Sequence, residues 1–105
     1  MPTESLANKT VEVNEEGFFV NPEDWSEELV PELAAKEGIA NLDDRHWQVI
    51  RFMRQEYLEK GSGPTVRVLG KTSGVSIKEL YELFPNGPAK IAARIAGIPK
   101  PRGCI

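Results

Sequence analysis

The residue best suited to chemistry is Cys104, the only cysteine of the chain, one position before the last residue. A thiol acts as a nucleophile or as a sulfur carrier only as the thiolate, so it needs exposure and nearby positive charge. Lys100 and Arg102 could supply that charge, whereas a terminal carboxylate at Ile105 would oppose it. On this segment alone, a reactive thiol and an incidental cysteine are equally good interpretations.

The residues before the thiol predict a helix with a defined end. Pro88 suits the first turn of a helix, and the alanine-rich stretch 89–96 favours helix throughout. Gly97 is a typical C-terminal stop, because glycine readily adopts the left-handed backbone conformation that ends many helices.

An extended arm is predicted after that helix. Pro99 and Pro101 cannot continue a helix and favour polyproline geometry, so residues 98–105 could span about 20–25 Å. Gly103 adds a flexible joint beside the thiol. We therefore expect residues 99–105 to form a mobile arm that can move a thiol between sites on other molecules.

Charge is divided unevenly along the chain. Residues 1–50 hold twelve acidic and three basic side chains, whereas residues 51–105 hold four acidic and ten basic ones, and the net charge is −3. No acidic side chain follows Pro85, so the thiol end is the positive end. This asymmetry indicates an anionic partner or an electrostatically guided docking surface, with simple solubility as the alternative.

The candidate docking residues come from this positive half. Arg67 and Lys71 are four residues apart on one predicted helix, as are Lys90 and Arg94 on another, so each pair shares a helix face. A solvated basic face is the alternative interpretation of these residues. With the arm included, the predicted docking set is Arg67, Lys71, Lys90, Arg94, Lys100, Arg102 and Gly103.

Three segments at the C-terminal end carry a resemblance to a known family. They are residues 83–90 (LFPNGPAK), 96–101 (AGIPKP) and 103–105 (GCI), and together they resemble the C-terminal signature of the DsrC/TusE family. DsrC proteins are gamma subunits, or partner proteins, of dissimilatory sulfite reductase, and TusE proteins relay sulfur for tRNA 2-thiouridine synthesis. Weaker similarity extends upstream to about Val11, through 15–18, 24–25, 46–47 and 64–69.

The resemblance implies a sulfur-relay function, a sulfurtransferase-type carrier rather than a stand-alone catalyst. Cys104 would accept sulfane sulfur as a persulfide from a donor of the TusBCD or DsrEFH kind. The acceptor would be a tRNA thiouridylase or dissimilatory sulfite reductase. A partner or regulator that docks through the arm without carrying sulfur is the alternative.

The chain departs from the DsrC pattern at one position. DsrC proteins that act with sulfite reductase carry a second cysteine eleven residues before the penultimate one, where this chain has Ala93. The sequence is the same whether that alanine is native or replaces a cysteine. One cysteine can hold a persulfide or a mixed disulfide, so the TusE-like relay fits better. TusE proteins, however, often have an insertion before the segment that begins at Leu83, and this chain has the shorter length of the DsrC type.

The predicted fold is mainly α (α+β), as the family resemblance also implies. We expect an orthogonal bundle of about five helices with an N-terminal β-hairpin and a flexible C-terminal arm. The expected divisions are a disordered tail over 1–8, a helical domain over 9–98 and the arm over 99–105. The hairpin strands are predicted at 9–13 and 18–20, because the first alternates in polarity and a turn signal lies between them.

The helices are predicted from their caps and apolar spacing. One begins at Asn21 and contains Pro31, which would kink or split it. The longest follows Asn41 or Asp43 and ends near Lys60. Its predicted buried stripe comprises Trp47, Val49, Ile50, Phe52, Met53 and Tyr57, and Arg51, Arg54, Gln55 and Glu59 fall elsewhere.

Two short helices are predicted after these, capped by Thr65 and Ser76, with Glu79 completing a capping box. Their spacing resembles a helix-turn-helix pair, which makes a DNA-binding regulator a further alternative. Lys78 is the single basic residue on the second helix, against two glutamates, which disfavours DNA recognition.

The remaining expectations follow from composition. His46 is expected to be structural or solvent-facing, and the two tryptophans are expected in the core. One cysteine and one histidine disfavour a zinc site, and no cofactor is required. The absence of a long apolar run or a signal peptide predicts a cytoplasmic protein without membrane insertion, and we expect a monomer.

Overall fold

The structure, a computed structural model, describes residues 3–6 and 9–101. Two antiparallel strands and five helices make up the fold, and the prediction of a five-helix protein with an N-terminal hairpin is confirmed. Two short 3-10 turns, Pro22–Asp24 and Glu27–Leu29, precede the first helix. The elements are β1 (Thr3–Leu6), β2 (Lys9–Glu12), α1 (Val30–Lys36), α2 (Asp44–Lys60), α3 (Val66–Thr72), α4 (Ile77–Leu83) and α5 (Pro88–Ile95).

The hairpin begins earlier than predicted. The expectation of a disordered tail over 1–8 is wrong for Thr3–Leu6, which pairs with β2, with Leu6 opposite Lys9. The predicted second strand is reduced to a single bridge between Val13 and Phe19. Leu6 is fully buried, and the burial of its side chain in the core explains why this stretch is ordered without a local pattern.

Pro31 splits the first helical region, which is one of the two outcomes predicted for it, a kink or a split. It lies in the first turn of α1, where its missing N–H removes no hydrogen bond. The residues before it form the 3-10 turns instead of a continuous α-helix.

α2 begins after Asp43, whose side chain accepts hydrogen bonds from the backbone N–H groups of Arg45 and His46. These backbone hydrogen bonds lower the pKa of the Asp43 carboxyl, and the one from His46 has the largest effect. The buried face of α2 differs from the prediction: Trp47, Phe52 and Tyr57 are only partly buried. The buried positions of α2 are His46, Val49, Ile50 and Met53.

α3 and α4 are capped by Thr65 and Ser76, as predicted. The capping box is only half formed. The Ser76 hydroxyl accepts from the Glu79 N–H, but the Glu79 carboxylate pairs with Arg45 of α2, with 2.7 Å between Nη2 and Oε1. This ion pair lowers the pKa of Glu79 and raises that of Arg45.

α5 is the central element of the molecule. It packs against each of the other four helices, and six of its eight residues are buried. The C-terminal segment therefore leaves from the middle of the core. None of the helices in the described part of the chain is long and apolar enough to cross a membrane.

Candidate functional site: the root of the C-terminal segment

The end of α5 is a closed helix terminus. Gly97 has φ +66°, its N–H donates to the carbonyl of Arg94, and the N–H of Ile98 donates to the carbonyl of Ala93. This pair of hydrogen bonds is a Schellman motif, which needs a left-handed residue at the glycine position. The helix end predicted at Gly97 is thus confirmed.

Trp25 and Arg54 satisfy the last carbonyl groups of α5. The Trp25 indole N–H donates to the Ile95 carbonyl at 2.8 Å, and Arg54 donates to the Ala96 carbonyl at 2.8 Å. Arg54 also lies 4.2 Å from the centre of the Trp25 ring. Burial lowers the pKa of the Arg54 guanidinium. A cation at a helix C-terminus is favourable because the exposed carbonyls carry partial negative charge.

Neither role was predicted from the sequence, in which Arg54 falls outside the predicted buried stripe of α2 and Trp25 is expected only in the core. The signal available in the sequence was the position of Arg54 directly beside Met53 of that stripe. The partners of Arg54, the carbonyls of Pro22 and Ala96, lie 32 and 42 residues away, so no local pattern could name them.

We call residues 97–101 the C-terminal root. Ile98 and Pro101 are both buried, whereas Lys100 is exposed, so the segment packs on the body at these two residues. The mobile arm expected over 99–105 stays a prediction. A Cβ placed on Gly63 would lie 2.8 Å from Cδ1 of Ile98 and 3.3 Å from Cγ of Pro101. The root therefore packs directly on the loop between α2 and α3. Arg102, Gly103 and Cys104 lie outside the described residues.

Lys100 holds the other side of the root. Its Nζ lies 3.0 Å from Oε2 of Glu16, in the turn that follows β2. The hydrogen bond from Lys100 is the main cause of the lowered pKa of Glu16, and the charges of Lys90 and Arg94 lower it further. Three of the predicted docking cations are thus grouped around one carboxylate.

Arg94 is the most enclosed of these cations. It forms an ion pair with Glu37 at 3.0 Å and lies 5.2 Å from the centre of the Phe18 ring. Its Nε is buried and has no hydrogen-bond partner among the described residues. Arg94, Glu16 and Glu37 line a cleft of about 330 Å³ beside the root. This arrangement gives Arg94 a structural role that the sequence analysis did not foresee.

The other predicted docking pair is separate from this group. Arg67 and Lys71 are exposed on α3, and neither forms an ion pair with a described residue. Within the described part of the chain, no hydrogen bond or ion pair joins them to Lys90 or Arg94. A single docking surface that contains both pairs stays a prediction.

Two further positions from the sequence analysis are internal. Ala93 is fully buried in α5. His46 is also buried, and its Nε2 lies 3.0 Å from the Leu83 carbonyl while its Nδ1 accepts from the Asp43 N–H. Both ring nitrogens are therefore occupied by structural contacts, which agrees with the structural one of the two roles expected for His46.

The helix-turn-helix pair is formed by α3 and α4. Lys78, Tyr81 and Glu82 are exposed on α4, so one basic and one acidic side chain lie on its outer face. Glu79, the other acidic residue, turns towards Arg45. This surface has no excess of positive charge, and DNA binding stays a prediction without added support.

Comparison with known proteins identifies the family. A family model described as "DsrC like protein" matches residues 5–105. The chain belongs to the DsrC family. The resemblance seen in the C-terminal motifs is thereby confirmed over nearly the whole length.

Individual members of the DsrC family give the same result. The chain is 43% identical to the "Sulfite reductase, dissimilatory-type subunit gamma" of Nitratidesulfovibrio vulgaris over 97 residues, which cover 92% of each chain. It is also 43% identical to "Sulfurtransferase TusE" of Yersinia pseudotuberculosis over 104 residues, which cover 92% of this chain and 95% of the relative. A crystal structure of dissimilatory sulfite reductase I contains a chain that is 40% identical, with a TM-score of 0.87 and coverage of 99% of this chain and 100% of that chain.

The alignments with the gamma subunit and with TusE span 97 and 104 residues, although each covers 92% of this chain. The longer alignment with TusE means that TusE has residues with no counterpart here. This difference agrees with the expectation that the chain has a DsrC-like length, although it combines that length with a single cysteine.

Proposed function

We propose that this protein is a sulfur carrier that holds sulfane sulfur as a persulfide on Cys104 and passes it to a partner. The observation that carries the proposal is that the DsrC family match extends to residue 105, so it includes the only cysteine of the chain. Relatives of equal identity are named as a sulfurtransferase and as a sulfite reductase subunit.

The chemistry is two thiol–persulfide exchanges. In the first, the Cys104 thiolate attacks the outer sulfur of a donor persulfide, the donor S–S bond breaks, and the donor leaves as a thiolate. In the second, an acceptor thiolate attacks the outer sulfur on Cys104, and Cys104 returns to the thiolate. One sulfur atom moves in each step, and neither step consumes an external oxidant or reductant.

The charges near the root favour this chemistry. Arg102 and Lys100 are the cations nearest to Cys104 in sequence, and positive charge stabilises a thiolate. Lys100 is paired with Glu16 in the described part of the chain. Cations at the thiol end would also attract an acidic surface around a partner's active site.

The single cysteine restricts the reaction. Two cysteines can enclose a sulfur atom and then close a disulfide, whereas this chain has Ala93, which is fully buried, at the second position. A carrier with one thiol must release its sulfur to an acceptor. We therefore favour relay over a complete sulfite-reduction cycle.

Partners supply the rest of the pathway in this proposal. The donor would be a protein of the TusBCD or DsrEFH kind, and the acceptor a tRNA thiouridylase or dissimilatory sulfite reductase. A second candidate function, docking to a sulfite reductase without carrying sulfur, is favoured by the match to the gamma subunit over 92% of each chain.

The test is intact-protein mass spectrometry after incubation with glutathione persulfide. We expect the wild type to gain one sulfur atom, the gain to be reversed by a reductant, and Cys104→Ser to gain none. If the wild type gains no sulfur, or Cys104→Ser gains as much, the carrier proposal is wrong. Binding of Cys104→Ser to a sulfite reductase with unchanged affinity would then favour the docking function.

A further inference from the structure

The C-terminal root is held from two sides by residues far away in the sequence. We propose that Glu16 and Gly63 are positioning residues for Cys104, because they fix Lys100 and Pro101 and so set the point from which the thiol is carried. The inference rests on the proposed function only for the role of the thiol. The geometry of the root stands independently of it.

The first contact is the ion pair between Glu16 and Lys100. Glu16 lies in a turn that the Asn14 side chain organises, because the Asn14 Oδ1 accepts from the N–H groups of Glu16 at 2.9 Å and Phe18 at 3.0 Å. The Phe18 carbonyl also accepts from the Asn14 N–H at 2.8 Å. The carboxylate is therefore presented from a fixed backbone, 3.0 Å from the Lys100 ammonium.

The second contact is steric. Gly63 lacks a side chain at the place where Ile98 and Pro101 pack, and a Cβ there would come within 2.8 Å of Ile98 Cδ1. Met53 of α2 lies on the same side, with its Cε 3.8 Å from that Cβ position. The loop after α2 thus approaches the root closely at Gly63, and a side chain at this position would force the end of the Ile98 side chain to shift.

The two contacts set the length of the tether, meaning the stretch of chain between the last residue held on the body and Cys104. Cys104 follows Pro101 by three residues in the sequence, and three residues of extended chain reach at most about 11 Å at about 3.3–3.6 Å per residue. If the root left its seat, the tether would instead begin near Ile98 and span about 20 Å. The contacts of Glu16 and Gly63 with the root therefore determine whether the chain that carries the thiol is free from Pro101 or already from Ile98.

Because the ion pair between Glu16 and Lys100 is weak, its loss should change the populations of the seated and unseated root only moderately. The side chains of Glu16 and Lys100 are 49% and 42% exposed, and exposed ion pairs contribute little. We expect loss of the pair to raise the population of the unseated root by less than about tenfold. A partner that offers its own carboxylate to Lys100 could make the same exchange.

The experiment uses the single cysteine as a labelling site. A nitroxide is attached to Cys104, and paramagnetic broadening of backbone amide signals is mapped by NMR in the wild type and in Glu16→Lys. Glu15→Lys is the matched control, since Glu15 is exposed in the same turn and has no ion pair with a described residue. The charge-swapped variant, with both Glu16→Lys and Lys100→Glu, tests rescue.

We expect broadening near the root in the wild type and in Glu15→Lys, a wider set of broadened amides in Glu16→Lys, and a return towards the wild-type set in the charge swap. Gly63→Ala should widen the set through the other contact. Identical patterns in Glu16→Lys and Glu15→Lys, or no rescue by the swap, would overturn the proposal.

Sulfur loading of the unlabelled variants keeps the two proposals distinct. Loading by glutathione persulfide should persist in every variant, because Cys104 is unchanged. Loading without any change in the broadening pattern refutes the positioning role alone. A changed pattern without loading in any variant, including the wild type, refutes the carrier function alone.

Discussion

Trp25 lies directly against Gly97, at the residue where α5 ends and the C-terminal root begins. A Cβ placed on Gly97 would lie 2.7 Å from both Cβ and Cγ of Trp25, and the backbone there has φ +66°. Two independent constraints, contact with an indole and a left-handed backbone, therefore require glycine at this position.

Gly97→Ala should lower the free energy of unfolding by about 2–4 kcal/mol, because it adds backbone strain and a steric clash. The measurement is urea denaturation followed by circular dichroism. Gly38→Ala is the matched control, since Gly38 has φ +84° and open space around its Cβ position. It should cost only about 1 kcal/mol. Equal losses in the two variants would show that contact with Trp25 adds nothing.

Arg54→Lys should cost about 1–2 kcal/mol of stability and change the emission of Trp25. An ammonium cannot reproduce the planar contact with the indole while it donates to the carbonyls of both Ala96 and Pro22. Arg51→Lys is the control, because Arg51 lies 5.1 Å from the Trp47 ring but is 63% exposed. Thermal unfolding of the control should stay within about 0.5 kcal/mol of the wild type.

The ion pair between Arg45 and Glu79 predicts a dependence of stability on pH. Arg45 lowers the pKa of the Glu79 carboxyl in the folded protein below its ordinary value of 4.5. As the pH falls below that value, the unfolded chain binds a proton at Glu79 before the folded protein does. The stabilisation is therefore present above about pH 4.5 and is lost as the pH falls through the lowered folded pKa.

Glu79→Gln tests this dependence. The variant should be less stable than the wild type near pH 6, and the difference should shrink as the pH falls below about 4.5. Glu82→Gln serves as the control, because Glu82 is exposed on the same helix and has no ion pair with a described residue. A pH-independent difference between the wild type and Glu79→Gln would contradict the assignment.

His46→Ala should separate stability from sulfur loading. The change leaves the Asp43 N–H and the Leu83 carbonyl without their partner, at a cost of about 2–3 kcal/mol. Uptake of sulfur by the folded variant should equal that of the wild type in intact mass. Cys104→Ser should show the opposite pattern, with no uptake. Loss of uptake in folded His46→Ala would give His46 a catalytic role.

The elements predicted well from the sequence are those defined by short-range interactions. The Asp43, Thr65 and Ser76 side chains cap helices through backbone groups two or three residues away. The end of α5 at Gly97 depends on the chain's own conformational preferences. Such signals lie within one or two turns of a helix, so the sequence pattern contains them completely.

The errors arise where distant residues decide the conformation. Thr3–Leu6 has no pattern of its own, and it is ordered by pairing with β2 and by the burial of Leu6. Glu79 completes a local capping pattern in the sequence, but its carboxylate pairs with Arg45, 34 residues away. A charge-assisted pair across two helices is preferred here over a local hydrogen bond.

The sequence by itself determined the family, the number of helices and the position of the single thiol, because motifs and local preferences are written in consecutive residues. Only the tertiary structure decided where the carrier segment begins. Lys100 meets Glu16 across 84 residues, and Pro101 packs at Gly63. Proline-rich sequence alone predicts a free arm, but burial of Ile98 and Pro101 in the folded protein holds its first residues on the body.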